Sequence, residues 1–529
     1  MVTMRKVVYD IEANGLQPDR IWCVVAKDIK TNEIFTFLEN DRDKFRRFTE
    51  EVETFIGHNI LGYDNYWVRR LWGIDIPTSK CLDTLVLSRL FNKCWEARVK
   101  SPSGKWENKV KQTRMKNQHG LTYWGEFLGE PKHDFDDFSK FSQEMLDYCI
   151  QDVHVNHKVY EYLRDKESRG FSQESIKIEQ QLYVILDQQM RNGFKIDVPK
   201  AKELLTELEA REVELREQIQ ADFPPIPRFV KEYHPPLTKK GGHHTGRMGP
   251  MKDRYGFDYF GEPYSLINWE EFNLSSPTQV VERLKGHWKP TDFTPKGQPR
   301  CSDINIETIF DTAPESIKNI KTYRMITSRA SDVASWIEGA ERHEDGRLRG
   351  RIIHIGSWSG RASHSDPNTA NIPSVLFGED KKPLLGEAGG YGMECRSLWI
   401  TNPGNVLLGC DASGIQLRIL AHYLNNEEYT KSVLSEKPND IHTKNAKILG
   451  CDRDTAKTFI YSWLLGAGVA KTAEILGCTA GEAVNKRNKF VLETPGLNEF
   501  LKLKSIYAQR GWYRGVDGRK VYVPSDHLT

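Results

Sequence analysis

Five side chains in the first third of the sequence are of types and spacings suited to cutting a phosphodiester. Asp10 and Glu12 stand two residues apart at the end of the β-branched and aromatic run Arg5 to Tyr9. A strand there turns both carboxylates to one face. Asp64 closes the segment Gly57-His-Asn59-Ile-Leu-Gly-Tyr63-Asp64, and Asp152 closes Tyr148-Cys-Ile-Gln-Asp152. Four acids converging from separate elements repel one another unless divalent cations lie between them, and an oxygen-rich site suits Mg²⁺ or Mn²⁺. Two such ions about 4 Å apart can activate a water and stabilise the leaving oxygen in phosphodiester hydrolysis. Tyr148 lies one helical turn before Asp152, on the same helix face, where its phenol can orient that water. A lone D-x-E pair is most often a solvated surface feature. The ordered set, with His58-Asn59 ahead of Asp64, is far more specific.

A second constellation fits a triphosphate. Arg453, Lys457 and Tyr461 recur every four residues, so a helix presents them as one stripe. Two cations one turn apart match adjacent phosphates, and an aromatic on the next turn can pack against a sugar or base. Arg453 and Lys457 alone would read as a basic surface stripe. Their context says more. Asp411 follows the strand-like run Asn405-Val-Leu-Leu-Gly-Cys410, placing a carboxylate at a strand end where a metal can bind. Asp440-Ile-His442 precedes the stripe, and His442 adds a further phosphate contact. Upstream, the turn-rich stretch Ser359 to Pro373 carries the isolated Arg361 and Asn371.

The elements that must hold these groups follow from composition and pattern. A chain of 529 residues, 38% hydrophobic and 28% charged, suggests three or four domain-sized units, each able to bury a core. No stretch approaches the roughly 20 apolar residues of a membrane span, and the N-terminus passes straight into a strand, so the expected location is cytoplasmic. The nine cysteines are scattered without a C-x-x-C pair, which argues against a disulfide framework or a structural zinc site. A net charge of +2 is uninformative, but Lys100, Lys105, Lys109, Lys111, Arg114 and Lys116 crowd one segment, and Lys239, Lys240, Arg247, Lys252 and Arg254 another. Short strands over Arg5 to Tyr9, Trp22 to Ala26 and Ile34 to Phe37 predict an open mixed sheet with flanking helices. Two helices broken at Asn192-Gly193 are predicted over 176–223, then an inserted loop over about 224–263. Strands and turns mix from Leu348 to Arg418, and the remainder is mainly helical.

Taken in order, these segments resemble family A (DNA polymerase I type) DNA polymerases of the bacteriophage branch. The N-terminal set resembles the DEDDy 3′–5′ proofreading exonucleases, with Asp83 in a supporting role. Asp411 to Arg418 is similar to motif A and Arg453 to Gly466 to motif B, while Gln189 to Asp197 and Phe272 to Gln279 are similar to thumb landmarks. The resemblance implies a ribonuclease H-like α/β exonuclease domain (1–170) followed by an α+β right-hand region. That region comprises a thumb with the inserted loop (171–345), a partial palm (346–420) and fingers (421–529). It implies DNA replication with proofreading on primer-template DNA and dNTPs, with two Mg²⁺ or Mn²⁺ ions per active site. Asp411 and the Ala412 carbonyl would hold the palm metals. Arg453, Lys457 and His442 would grip phosphates, with Lys457 also a general acid. Tyr461 would lie beside the deoxyribose, Arg361 and Asn371 against the DNA, and the basic segments along its phosphates.

Three departures qualify the resemblance. Gln416 stands where motif A usually has a glutamate that helps exclude a 2′-hydroxyl. Leu465 and Ser462 replace a usual tyrosine and glycine in motif B. The His-Asp-Glu turn of motif C would follow Gly515 to Pro524, and only Ser525 to Thr529 do. The expectation is therefore the N-terminal part of a split polymerase whose palm is completed by a second polypeptide, with a processivity factor possible at the thumb loop. A stand-alone exonuclease that merely grips DNA with its polymerase remnant, and a non-catalytic DNA-binding scaffold, are the alternatives.

Overall fold

The computed structural model describes residues 4–91, 98–100, 106–108, 119–234, 240, 264–294, 296–357 and 359–522. By contacts the chain divides into two compact units. One gathers Met1–Gln189, Ile352–Ser363 and Leu408–Thr529, the other Met190–Arg351 and His364–Leu407.

The first unit begins with five strands, β1 (Arg5–Ala13), β2 (Ile21–Asp28), β3 (Ile34–Leu38), β4 (Val52–Gly57) and β5 (Cys81–Asp83), in the order β3-β2-β1-β4-β5. β1 pairs antiparallel with β2 and parallel with β4, so the sheet is mixed, as expected from the sequence. A central strand covered on both faces must be apolar both ways, and β1 shows how that is arranged. Val7, Tyr9, Ile11 and Ala13 enter a core with Phe45, Phe48, Trp67 and Trp72. Val8 packs on the opposite face with Cys149 and Val153 of helix α2 (Gln143–Tyr162). Period two carries Asp10 and Glu12 to that same face.

β4 ends at Gly57, where an added Cβ would lie 1.9 Å from Ile60 Cγ2 and 2.9 Å from the Tyr9 carbonyl. Only glycine fits that turn. Asn59 then takes a left-handed φ of 69° and leads the chain round to Asp64. Helix α1 (Thr84–Phe91) follows β5, and helix α3 (Gln173–Asn192) closes over the edge. The amide of Gln180 accepts from the Asp83 N–H at 2.9 Å and donates to its carbonyl at 3.1 Å.

In the second unit, helices α4 (Val198–Asp222) and α5 (Ile320–Glu341) pack together. Ala201, Leu204, Leu208, Leu215 and Ile219 form the stripe of α4, and Ile326, Val333 and Trp336 meet it from α5. The expected break at Asn192-Gly193 is a short strand, β6 (Phe194–Ile196), central in a three-stranded sheet with Arg347–Leu348 and Trp399–Ile400. The region expected as loop from about 224 begins with a strand. Ile226–Tyr233 pairs antiparallel with Tyr264–Glu270 as a ribbon that exposes Phe229, Ile267 and Trp269. Residues 235–239 and 241–263 lie outside the described residues, as do Lys105, Lys109, Lys111, Arg114, Lys116, Lys239, Arg247, Lys252 and Arg254. The strand expected over 405–410 does not form. Asn405 to Cys410 is irregular and exposed, with Val406 at 85% and Leu408 at 93%.

The last part of the first unit is helical from Ile415 to Arg510, then ends in a hairpin of Trp512–Arg514 with Lys520–Tyr522. The hairpin turn rests on the start of α3. The Ser172 hydroxyl donates to the Asp517 carbonyl at 2.5 Å, and Gly518 takes a left-handed φ of 80° where a Cβ would lie 2.7 Å from Ser172. The Arg519 guanidinium bridges Asp517 at 2.6 Å and the buried Glu179 at 2.5 Å. Removing one partner of a buried pair strands the other charge. Arg519→Met is therefore expected to destabilise the first unit by about 3 kcal/mol. Arg519→Met with Glu179→Gln should recover much of that loss. Urea midpoints of the three proteins check this; equal midpoints for wild type and Arg519→Met would show the pair to be dispensable.

Candidate active sites

The N-terminal carboxylates converge. Glu12, Asp64 and Asp152 are 7%, 2% and 5% exposed, and Asp10 is half-buried. The Ile11 N–H, between the two strand acids, donates to Asp64 Oδ1 at 3.2 Å, which fixes Asp64 against β1. One ligand atom each from Asp10, Glu12 and Cys149 lie within 4.8 Å of one another. Burial and then the charges of Asp64, Asp152 and Glu12 raise Asp10 well above the usual carboxylate range. Burial and the Asp152 charge raise Glu12 to about 9. Burial, with Asp83 adding, raises Asp64 to about 7. Asp152 Oδ1 is buried with no hydrogen-bond partner. Buried acid oxygens that raise one another's proton affinity, one of them unpartnered, fit a divalent cation.

Asp83 is fully buried yet of a different kind. Its carboxylate accepts from the N–H groups of Asn59 at 3.0 Å, Leu61 at 3.1 Å and Leu85 at 2.9 Å. Burial lifts it to about 6 while those bonds pull it back. Asp83 thus shapes the turn that delivers Asp64. His58, on the same turn, contacts the Thr84 hydroxyl at 3.0 Å, and burial lowers its pKa to about 3, so it is neutral.

Tyr148 and Asp152 do share a face of α2, and both meet a residue the sequence reading passed over. Lys132 Nζ donates to Tyr148 Oη at 2.9 Å and to Asp152 Oδ2 at 2.5 Å. Burial works against its charge, but Asp152 and Tyr148 together hold the ammonium above its usual range. Phe135 lies 5.5 Å and Phe138 6.3 Å from the Tyr148 ring, centroid to centroid. Lys132 sits in an irregular stretch with no periodicity, so no pattern in the sequence marked it. Cys149 was likewise invisible as a neighbour of the acids.

The second constellation lies on helix α6 (Ile415–Leu424), helix α7 (Ile441–Leu449) and helix α8 (Arg453–Leu464). Asp452 caps α8, accepting from the N–H groups of Asp454 at 3.0 Å and Thr455 at 2.9 Å. Ala456, Phe459 and Ile460 bury one face of α8, Phe459 against Phe490 at 5.2 Å. That leaves Lys457 exposed and Tyr461 half-buried on the remaining surface. The His442 ring is 6.0 Å from that of Tyr461, and His442 Nδ1 is buried without a partner. Burial, then the charges of Arg453 and Lys457, lower the His442 pKa. Arg453 is not free to swing. Its Nε lies 3.1 Å from Asp440 Oδ2, and Nη2 contacts the same oxygen.

Asp411 and Ala412 are exposed, and the Ala412 carbonyl accepts from the Ile415 N–H at 3.3 Å as α6 begins. Gln416 is exposed in the first turn of α6, and Leu465 is 75% exposed. Among the described residues, Asp411 belongs to no group of three convergent metal-ligating side chains. Arg361 is exposed in a turn closed by its carbonyl and the Ser357 N–H at 3.1 Å, and Asn371 is exposed in the second unit.

Comparison with known proteins places the chain. A sequence model described as DNA polymerase family A matches residues 260–527. The DNA-directed DNA polymerase of Escherichia phage T7 is 30% identical across 99% of this chain and 86% of its own length. The chain belongs to DNA polymerase family A. The polymerase is equally similar, at 30% and the same coverage, to the DNA-directed DNA polymerase of Enterobacteria phage T3. DNA polymerase I of Rhizobium leguminosarum is 26% identical over 49% of this chain and 25% of its own. Among solved structures, the fold resembles that of the POL domain of Pol1 from M. smegmatis, solved with DNA primer-template and dNTP. The TM-score is 0.65 at 14% identity, over 99% of this polymerase and 79% of that chain. No helix among the described residues is long and apolar enough to cross a membrane.

Asp440 both caps α7, through the Thr443 N–H at 2.9 Å, and clamps Arg453. The Arg453 hydrogen bond above all, aided by Thr443, holds its carboxyl well below the usual range. A carboxyl depressed in the folded state stabilises above its unfolded pKa of about 3.9, and that contribution fades as pH falls. Asp440→Asn is expected to cost about 1–2 kcal/mol near neutral pH, and the gap to wild type to narrow steadily below about pH 4. Urea titrations across pH check this; a gap of constant width down to about pH 2 would contradict the assignment.

Proposed function

We propose that this family A DNA polymerase also removes nucleotides from DNA 3′ ends, and that Asp10, Glu12, Asp64 and Asp152, with Tyr148, form that second active site in a ribonuclease H-like domain. The observation that carries the reading is four acids, three of them buried, that raise one another's proton affinity, with one Asp152 oxygen left unpartnered. Such an arrangement is costly in a resting protein and useful only where positive charge arrives with substrate. When bound, Mg²⁺ or Mn²⁺ ions, two by the spacing such chemistry uses, supply charge for the attacking water and the leaving oxygen. The chain's own part is to hold the four carboxylates on β1, the 57–64 turn and α2. Tyr148 fixes the water by hydrogen bond. A P–O bond forms to water, the bond to the 3′ oxygen of the penultimate nucleotide breaks, and a nucleoside 5′-monophosphate leaves.

In the polymerase site, Arg453, Lys457 and His442 bind the phosphates of the incoming dNTP, and Tyr461 packs beside its sugar. Asp440 orients Arg453 so that little side-chain entropy is lost when the triphosphate binds. The primer 3′ hydroxyl gives up its proton to solvent as its oxygen bonds the α-phosphorus, the bond from that phosphorus to the β-phosphate oxygen breaks, and pyrophosphate leaves with a proton donated by Lys457. Asp411 and the Ala412 carbonyl would hold the metals of this site, Gln416 would face the ribose 2′ position, and Arg361 and Asn371 would contact the primer-template. The exposed aromatic face of the 226–233 and 264–270 ribbon supports a protein partner there. Primer extension by this chain alone, and again with a polypeptide carrying a His-Asp-Glu turn, tests whether a second chain completes the palm.

Two variants separate the sites. Asp10→Ala is expected to lower 3′ trimming of a labelled oligonucleotide by at least about 1,000-fold, the scale of losing a key electrostatic group, without changing dNTP binding. Lys457→Ala should lower dNTP affinity and incorporation by roughly 100-fold while trimming persists. Full trimming by Asp10→Ala would sink the exonuclease assignment.

A further inference from the structure

Lys132 carries an inference beyond the set of acids and tyrosine, and it rests on the exonuclease reading above. Its side chain is 12% exposed, and its ammonium touches Asp152 Oδ2 at 2.5 Å and Tyr148 Oη at 2.9 Å, 4.6 Å from the centre of the Tyr148 ring. The position is built rather than incidental. Residues 130–142 form a strap without regular structure. The strap is gripped on both sides of Lys132 by one side chain of α2. Gln151 Nε2 donates to the Pro131 carbonyl at 2.9 Å, and the His133 N–H donates to Gln151 Oε1 at 2.9 Å. Gln151 directly precedes Asp152 and lies three residues after Tyr148. Further along, the strap packs Phe135 at a tilt and Phe138 edge-on against the Tyr148 ring, and the Phe138 carbonyl accepts from Trp22 Nε1 at 3.0 Å. Before it, Gly125 admits the strap because a Cβ there would meet the Glu130 carbonyl at 2.5 Å.

We propose that Lys132 is a positioning residue of the exonuclease site, tying the Tyr148 phenol to Asp152 and setting the direction of the phenol's own hydrogen bond. An ammonium offers only donors, so the contact occupies an acceptor lone pair of Tyr148 Oη. The phenol proton is left to be donated away from Lys132, toward the water or the scissile phosphate. Without Lys132, the phenol can turn to donate to Asp152 itself, and its hydrogen bond is lost to the reaction. The residue acts through Tyr148, not on substrate. Its effect therefore belongs in turnover and not in DNA binding.

The test uses the full-length protein and a single-stranded oligonucleotide labelled at its 5′ end, with Mg²⁺ saturating. Lys132→Met should lower kcat for trimming roughly 10–100-fold, the scale of a misplaced catalytic group, with KM within about threefold of wild type. Lys132→Arg, which keeps a donor, should recover part of that loss. Gln151→Ala, which frees the strap but leaves Lys132 in place, should give a smaller loss with the same kcat and KM split. In a Tyr148→Phe background, adding Lys132→Met should change kcat less than about threefold, because the two act as one unit. Losses that multiply in the double variant overturn the proposal, as does unchanged kcat in Lys132→Met. If Lys132→Met unfolds, Lys132→Arg and Gln151→Ala decide: wild-type kcat in both overturns it. A wild type that does not trim, or an Asp10→Ala variant that still does, removes the exonuclease reading and this inference with it. Trimming that needs Asp10 but ignores Lys132 removes this inference alone.

Discussion

Like charge held out of water is the constraint on which the first unit turns. Two carboxylates a few ångströms apart in a medium of low polarity repel by several kcal/mol, and Glu12, Asp64 and Asp152 are all buried. The protein answers that repulsion locally and incompletely. The Ile11 N–H steadies Asp64, the Lys132 ammonium steadies one oxygen of Asp152, and the other oxygen stays unmatched. Asp83 shows what full satisfaction looks like at the same depth, with a row of backbone N–H groups on its carboxylate. Two acids 19 residues apart, Asp64 and Asp83, thus do opposite things with burial. Asp64 lies among acids, where its charge raises the proton affinity of Asp10, and Asp83 spends its bonds shaping the turn that delivers Asp64.

The C-terminal helices meet a related problem with cations. α8 turns its apolar residues inward on Phe490 and leaves Lys457 outward, so the helix amphipathy itself separates what folds it from what faces solvent. Arg453 would be a long, mobile side chain at the first position of α8, and the Asp440 carboxylate takes up its freedom in advance. That same carboxylate caps α7, so one helix start and the first side chain of α8 are set by a single acid.

Much of this was legible in residue order because it obeys a period. Asp10 and Glu12 share a strand face at a spacing of two, Tyr148 and Asp152 a helix face at four, and Arg453, Lys457 and Tyr461 a stripe at four and eight. The first three strands were likewise readable from their β-branched runs, each extending a few residues further in the fold. Lys132 was not readable, because the strap that carries it has no repeat and owes its path to Gln151 and Trp22, both distant in sequence, and to Gly125 just before it. The run 405–410 misled for the converse reason. Val406, Leu407 and Leu408 have strand propensity, but propensity without a neighbouring strand does not make one. The ribbon from Ile226 was hidden by proline and aromatic residues that read as loop, and its register is set by residues beginning at Tyr264.

The hairpin at 512–522 also bears on how the chain comes to be made. Glu179 and Arg519 lie 340 residues apart, and all of the second unit is encoded between them. At ribosomal speeds of about 5–20 residues per second, roughly 17–70 s pass after Glu179 is synthesised before Arg519 exists. During that interval the N-terminal sheet can collapse around its own aromatic core, but the patch of α3 around Ser172 and Glu179 stays wet. The hairpin is a late-made latch of the first unit, and a nascent polymerase carries a five-stranded N-terminal sheet well before that latch can close.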